Sequence, residues 1–284
     1  MLLRNEGNLR ITCNPGNVDE ERKRLRMSFD GDPEAYDRAR PGYPEQLYSD
    51  IVSECGLAEH SRLLEIGCGT GKATLAFARR GYSVDAVEIG AHMAEFAAEK
   101  TAGYHVNILN VPFEELNVAD SAYDLVFAAT SFHWIDRQTS LTKVKRALTP
   151  RGHLAVFWHS HLITGETRQM FDTLQQAYDG KAPEISRSTV RKQAESSSPE
   201  FQVALQESGL FGNIRRRSYR FTENYDADTY IRLLSTYSDH ITLGERSKSS
   251  LFAEIRKLIG EMPGGRITKE YETVLFIASN MAKV

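Results

Sequence analysis

Residues 62–71 read RLLEIGCGTG, and this stretch decides the fold. Residues 62–66 are a short apolar run of strand length. Glycines follow at 67, 69 and 71, where a backbone without Cβ atoms can turn tightly and let a ligand approach its peptide groups. A helical pattern then covers residues 71–80 and stops at Gly81. Strand, glycine turn and helix in that order put the turn at the carboxyl end of a strand. Open α/β sheets bind their ligands at that end.

Working outward, residues 82–88 (YSVDAVE) read as a second strand and residues 91–102 as a helix with Met93, Phe96 and Ala97 inward. Strands are predicted at 104–109 and 123–130. A helix over 136–148 carries Leu141, Val144 and Leu148 on one face. Pro150, Arg151 and Gly152 make a turn into a strand at 153–158. This alternation predicts an α/β fold, a parallel sheet covered by helices on both faces. Helices are expected at about 166–179 and 200–208, strands near 213–221 and 270–279, and a polar loop at 186–199. On the amino-terminal side, residues 34–56 read as one or two amphipathic helices broken at Pro41–Pro44. The segment between the last two strands is too long for a structureless loop. Tyr230, Leu233, Leu234 and Tyr237 have helical spacing there, as do Leu251, Ile255, Leu258 and Ile259. We read helical lid elements at about 34–56, 160–198 and 222–265, on a single domain spanning 27–284. Residues 1–26 are polar and read as a mobile leader, with Met27 as an alternative start.

Composition narrows the function. The 284 residues are 41% hydrophobic and 26% charged, a balance that can bury a sizeable core. The formal net charge of -3 argues against a nucleic-acid partner. The run Arg215, Arg216, Arg217 is local and reads as a solvated or strand-edge face. The longest apolar runs are too short to cross a bilayer, so no membrane partner is expected. Three cysteines, Cys13, Cys55 and Cys68, give neither a disulfide framework nor a C-x-x-C metal site, and suit a reducing cytoplasm.

The glycine turn admits three readings. A phosphate-binding loop needs G-x-x-x-x-G-K-[ST], but Ala73 follows Lys72 and residue 66 is Ile. A dinucleotide turn needs G-x-G-x-x-G, and Lys72 stands where its third glycine belongs. What remains is G-x-G-x-G preceded by the acid Glu65. The second strand ends in Glu88, 17 residues after Gly71. A carboxylate there can accept from both hydroxyls of a ribose, which points to a nucleoside-containing cofactor. Glu88 could instead serve the start of the next helix.

EIGCGTG at 65–71, with Glu88 beyond it, resembles the class I S-adenosylmethionine-dependent methyltransferases. Residues 36–44 (YDRARPGYP), 123–136 (YDLVFAATSFHWID) and 148–158 (LTPRGHLAVFW) are similar to a small-molecule subgroup that includes trans-aconitate methyltransferase-like enzymes. The resemblance covers residues 28–160 well and the remainder only in layout. It implies a Rossmann-like, seven-stranded, mostly parallel sheet with a reversed last strand, and S-adenosylmethionine as cofactor. It also implies that Glu65, Gly67, Gly69 and Gly71 line the methionine part, that Glu88 holds the ribose, and that Ile89 and Met93 lie near the adenine. Asn110 or Glu114 stands where the family often has an Asp for the adenine amino group. Phe113 would pack on the base, and Thr130 would face both cofactor and acceptor.

Methyl transfer from a sulfonium is an in-line displacement that mainly needs alignment and exclusion of water. His133 and Trp134 follow the fourth strand at the ligand-bearing edge. His133 could take a proton or contact the acceptor, and Trp134 could wall the pocket. Tyr36 and Arg40 could cover the cofactor. His159 and His161 reach the same edge, but without a zinc-binding pattern. Tyr230, Tyr237 and His240 read as lid core. The expected activity is methyl transfer to a small-molecule oxygen, carboxylate or hydroxyl. The alternatives are a cofactor-binding regulator without catalysis and a nucleic-acid methyltransferase. The latter would show [DNS]-P-P-[YF] where residues 130–134 read TSFHW. An oxidoreductase would want a Tyr-x-x-x-Lys pair, which the middle of this sequence lacks. Oligomeric state is not legible in the sequence.

Overall fold

A computed structural model describes residues 24, 26–186 and 199–281. The leader expected at 1–26 therefore lies outside the described residues, except for Arg24 and Arg26, as does the polar loop over 187–198.

The chain enters through a 3-10 turn at Ser28–Gly31 and two helices, α1 (Pro33–Ala39) and α2 (Glu45–Cys55). The break between them falls at Pro41 to Pro44, as the prolines require. Asp32 caps α1, accepting from the Ala35 N–H at 2.9 Å. Gly56 ends α2 at φ +59°, the left-handed conformation that glycine adopts freely.

Strands and helices then alternate: β1 (Arg62–Ile66), α3 (Lys72–Ala78), β2 (Ser83–Glu88), α4 (Ala91–Lys100), β3 (Val106–Asn110), β4 (Tyr123–Ala129), α5 (Arg137–Ala147) and β5 (Leu148–Leu162). Beyond them come α6 (Gly165–Lys181), α7 (Pro199–Ser208), β6 (Phe211–Asp226), α8 (Ala227–Ser235), a short α9 (Ser238–Ile241), α10 (Glu245–Glu261) and β7 (Arg266–Asn280). Among the described residues the sheet has seven strands in the order β3-β2-β1-β4-β5-β7-β6. β7, last in sequence, inserts antiparallel between β5 and β6. The sheet is thus mostly parallel with its last strand reversed.

The sheet faces follow from the two-residue period of a strand. Leu63, Leu125 and Phe127 face one core with α2 and α3, through Leu47, Ile51 and Phe77. Leu64, Ile66, Val126 and Ala128 face the other with α5, through Leu141 and Val144. A third cluster joins Leu174, Tyr178, Leu233, Leu234, Leu251, Ile255 and Ile259 from α6, α8 and α10 to Tyr225 and Tyr271. Those tyrosines belong to the far ends of β6 and β7, which are longer than the sequence pattern suggests. β6 runs from residue 211 to 226 rather than 213 to 221. It is an edge strand whose polar side chains hide its period. Arg215 and Arg217 pair with Glu54 of α2, while Arg216 and Arg220 reach Glu272 on the opposite face. The arginine run is therefore a strand edge.

The strand order reverses between β1 and β4, the switch point where such sheets bind ligands. Parallel register brings Ile66, Glu88, Asn110 and Ala129 to one edge. β5 continues past that edge through His159 and His161. Among the described residues, no helix is long and apolar enough to cross a membrane.

Candidate active site

The switch point opens into a cleft of about 270 Å³. Its floor is the glycine turn. Gly67, Gly69 and Gly71 all have positive φ, at +67°, +54° and +73°. At Gly67 a Cβ would lie 2.7 Å from the Cβ of Ser131, so the loop after β4 packs directly on the turn. At Gly69 a Cβ would meet nothing within 4 Å; this peptide is open toward the cleft. Gly71 starts α3 and packs toward Ala97. It shapes the turn without lining the cleft.

Two carboxylates flank the turn. Glu65 is 1% exposed. One of its oxygens accepts from the Thr74 hydroxyl, and the other, Oε1, is buried with no partner among the described residues. Burial pushes this carboxyl up to about 8, with the nearby Glu88 charge adding to the effect. Glu88 accepts from the Gly69 N–H at 2.8 Å and the Gly90 N–H at 2.9 Å. It joins the turn to the start of α4, so its helix-serving reading and its place in the cleft wall hold together. Burial raises its pKa, partly offset by those N–H donors.

Of the other expected residues, Ile89, Met93, Phe113, Thr130, Tyr36, Arg40, His133 and Trp134 all line the cleft. Phe113 also belongs to the sheet core, at 2% exposure. Thr130 has φ +56°, and its hydroxyl meets Tyr43 Oη at 2.7 Å. His133 is exposed and Trp134 half-buried, both on a 3-10 turn at Phe132–Trp134. Asn110 and Glu114 do not line the cleft. The Asn110 amide is spent on the carbonyls of Glu88 and Ile89, at 2.9 and 3.2 Å, and Glu114 pairs with Arg26 at 2.7 Å.

The amino-terminal segment closes over the turn. Asp37 on α1 accepts from Thr70 at 2.7 Å and Lys100 at 2.6 Å, and Lys72 donates to its carbonyl at 2.6 Å. Burial alone would raise the Asp37 carboxyl, but these donors and the two lysine charges hold it below its usual 3.8. Arg40 donates to the hydroxyl and carbonyl of Thr236, at 2.8 and 2.7 Å, and its guanidinium lies 4.3 Å from the centre of the Tyr237 ring.

Among the wall residues, Asp30, Tyr43 and Tyr271 were not singled out by sequence reasoning. Asp30 accepts from the Met93 N–H at 2.8 Å and fills the space beside Gly90. Tyr43 stacks on His159, with ring centres 4.4 Å apart. His159, His161, Tyr237 and Tyr271 form the far end of the cleft. Tyr237, expected in the lid core, is instead part of this wall, whereas Tyr230 and His240 are buried as expected. The helical spacing that signalled α8 stops at Ser235, so Tyr237 lies past the helix on the turn that faces the sheet edge. Burial drives His159 down to about 3 and His161 well below 6.5, with the Arg40 charge adding to both. Neither imidazole carries a charge near neutral pH.

The cleft thus offers an open peptide turn, an unpartnered carboxyl oxygen, a second carboxyl group alongside, and apolar surface from Ile89, Met93 and Phe113. Those features suit a ligand that joins a cationic amino-acid end to a nucleoside, as S-adenosylmethionine does.

Residues 64–156 match a family model described as a methyltransferase domain. An uncharacterised methyltransferase of Schizosaccharomyces pombe is 24% identical over 266 residues, covering 90% of this chain and 97% of the relative. An uncharacterised methyltransferase of Mycobacterium bovis is 31% identical over 139 residues, covering 49% of this chain and 55% of that one. A solved structure of a putative type II methyltransferase from Anaeromyxobacter dehalogenans superposes with a TM-score of 0.59 at 17% identity, covering 86% of this chain and 99% of the other. Its likeness is one of fold. Sheet order, glycine turn and these matches converge on one activity: the chain is an S-adenosylmethionine-dependent methyltransferase.

Proposed function

We propose that the chain methylates an oxygen atom of a small-molecule acceptor. The observation that carries this reading is the polarity of the cleft. Its acidic wall residues, Asp30, Glu65 and Glu88, stand on the β1–β2 side. Beyond Thr130, the wall residues able to carry positive charge are Arg40, His133, and the imidazoles of His159 and His161, which burial holds well below their usual 6.5. An ammonium acceptor would meet the Arg40 charge and, among the described residues, no carboxylate there, whereas a hydroxyl or carboxylate oxygen would meet hydrogen-bond donors.

When bound, S-adenosylmethionine supplies a methyl group on a positively charged sulfur. In this reading the Gly67–Gly69 turn and Glu65 hold the methionine end, and Glu88 holds the ribose. Ile89, Met93 and Phe113 receive the adenine. Thr130, fixed by Tyr43, stands between cofactor and acceptor. The far wall would align an acceptor oxygen for in-line displacement at that methyl group. A carboxylate needs no base; a hydroxyl must lose its proton, and His133 is placed to take it. Tyr36 and Arg40 cover the cleft and keep water from competing. The clustering of the wall around a cavity of this size supports a small acceptor over a macromolecule.

The test is turnover of S-adenosylmethionine with paired oxygen and nitrogen acceptors, with the methylated atom identified by mass spectrometry and NMR. O-methyl products are expected, and exclusive N-methylation would refute the reading. His133→Ala is expected to lower kcat for hydroxyl acceptors by about 100-fold. Unchanged kcat at every pH would remove His133 from proton transfer.

A further inference from the structure

Lys269 is 4% exposed on the inward face of β7, between the buried Ile267 and Tyr271. A buried ammonium is costly unless something compensates it. Among the described residues it donates to a phenol, Tyr237 Oη, at 3.0 Å. The rest of its surroundings are rings, with the centres of Tyr237, Tyr271 and Tyr230 at 5.2, 5.5 and 5.7 Å. Burial lowers the Lys269 pKa from 10.5, while Tyr237 and Asp239 favour its charged form and Arg40 opposes it. Asp239 is also bonded to His240 Nδ1 at 2.9 Å.

The hydrogen bonds around Lys269 have a direction. An ammonium can only donate, so Tyr237 Oη accepts from it. The tyrosine proton then has one partner among the described residues, His161 Nε2, at 3.3 Å. If Nε2 accepts, the single proton of the neutral imidazole is on Nδ1. His161 Nδ1 is buried with no partner among the described residues. Lysine, tyrosine and histidine thus form a one-way chain that ends in an unanswered N–H at the far end of the cleft, with positive charge behind it. The charged groups facing this imidazole are Lys269 and Arg40, and the titratable Tyr237, Tyr271 and His159 stand beside it.

The geometry points to Lys269 as the residue that sets acceptor charge: acting through Tyr237, it holds His161 in the Nδ1–H tautomer and makes the far end of the cleft a receptor for a carboxylate. The inference rests on the acceptor binding beyond Thr130, as proposed above. Lys269 is a positioning residue and touches neither cofactor nor acceptor. The carboxylate either receives the methyl group or anchors the acceptor beside the atom that does.

The tautomer is readable without turnover, by long-range ¹H–¹⁵N NMR of the histidine rings in protein loaded with S-adenosylhomocysteine. The wild type is expected to show His161 protonated on Nδ1. Tyr237→Phe and Lys269→Met should both return it to the commoner Nε2–H form. Replacing a buried lysine by a methionine of similar volume removes the charge with little packing cost. An Nε2–H wild type, or a tautomer unmoved in both variants, would overturn the proposal. The same resonances then report titration with benzoate and hexanoate against benzyl alcohol and hexanol. Half-saturation by the acids is expected at concentrations about tenfold below those of the alcohols, with that gap closed in Lys269→Met. Equal response to acids and alcohols, or a gap unchanged by the variant, would contradict it. N-methylation in the turnover experiment would defeat the oxygen reading while leaving the tautomer result standing, so the two failures are separable.

Discussion

Glu65 shows most directly how one residue couples stability to the site. Its carboxyl is pushed up to about 8 by burial, and in an unfolded chain it returns to its ordinary 4.5. Between those values the folded protein keeps a proton that the unfolded chain has released. Folding stability therefore declines as pH rises from about 4.5 to about 8, then levels off. Glu65→Gln keeps an oxygen for the Thr74 hydroxyl and has no proton to lose. Denaturant unfolding of cofactor-free protein should show that decline in the wild type and lack it in the variant; parallel profiles would mean that Glu65 is ionised in the fold. Gly69 gives a second test. A Cβ there meets open cleft at φ +54°, so Gly69→Val adds left-handed strain of roughly 1–2 kcal/mol and blocks the ligand's approach. The folded variant should not bind S-adenosylmethionine by calorimetry; wild-type affinity would place the ligand elsewhere. At this scale the cleft positions of Glu65, Gly67, Gly69 and Glu88 were legible because they stand at the ends of two adjacent strands. Asp30, Tyr43 and Tyr271 were not, since they reach the cleft from three separate places in the chain. Asn110 and Glu114 were legible as polar groups near β3, but their partners, Glu88 with Ile89 and Arg26, turn them from the cleft.

Among the elements, α1 does the most to make the site enclosed. It is a short helix, held through Asp37 to the glycine turn at Thr70 and Lys72 and to α4 at Lys100. Arg40 just beyond it bonds to Thr236 at the end of α8. The strap thus joins the motif half of the chain to the late helices. Asp37→Ala should remove the main polar tie on the turn side. The ion pairs are only part-buried, so the expected cost is about 1 kcal/mol, or roughly fivefold in cofactor affinity. Faster limited proteolysis between residues 31 and 44 should accompany it. If both affinity and proteolysis are unchanged, α1 is held by its packing rather than by Asp37. The prolines and Gly56 made α1 and α2 readable from sequence. The ties themselves were not, because a charged residue on a short helix gives no local sign of its partner.

Among the described residues, two cores belong to the sheet and a third joins the late helices to the far ends of β6 and β7. The sheet cores were legible because a strand–helix alternation with buried apolar runs has few other ways to fold. The lid core was legible only as helical spacing. Its placement depends on β6 and β7 running on past the sheet, and β6 carries a polar, arginine-rich sequence that hides its length. That end of β7 carries Tyr271 to the cleft and Lys269 behind its wall. One end of the cavity is therefore built by the motif and the other by the part of the chain where sequence patterns are weakest. The cofactor end carries the central claim. Its most direct test is calorimetric titration of the purified protein with S-adenosylmethionine and S-adenosylhomocysteine, with NAD as control. Micromolar, one-to-one binding of the first two and none of NAD is the predicted result. Absence of binding by both, with and without candidate carboxylate and hydroxyl acceptors present, would contradict the account.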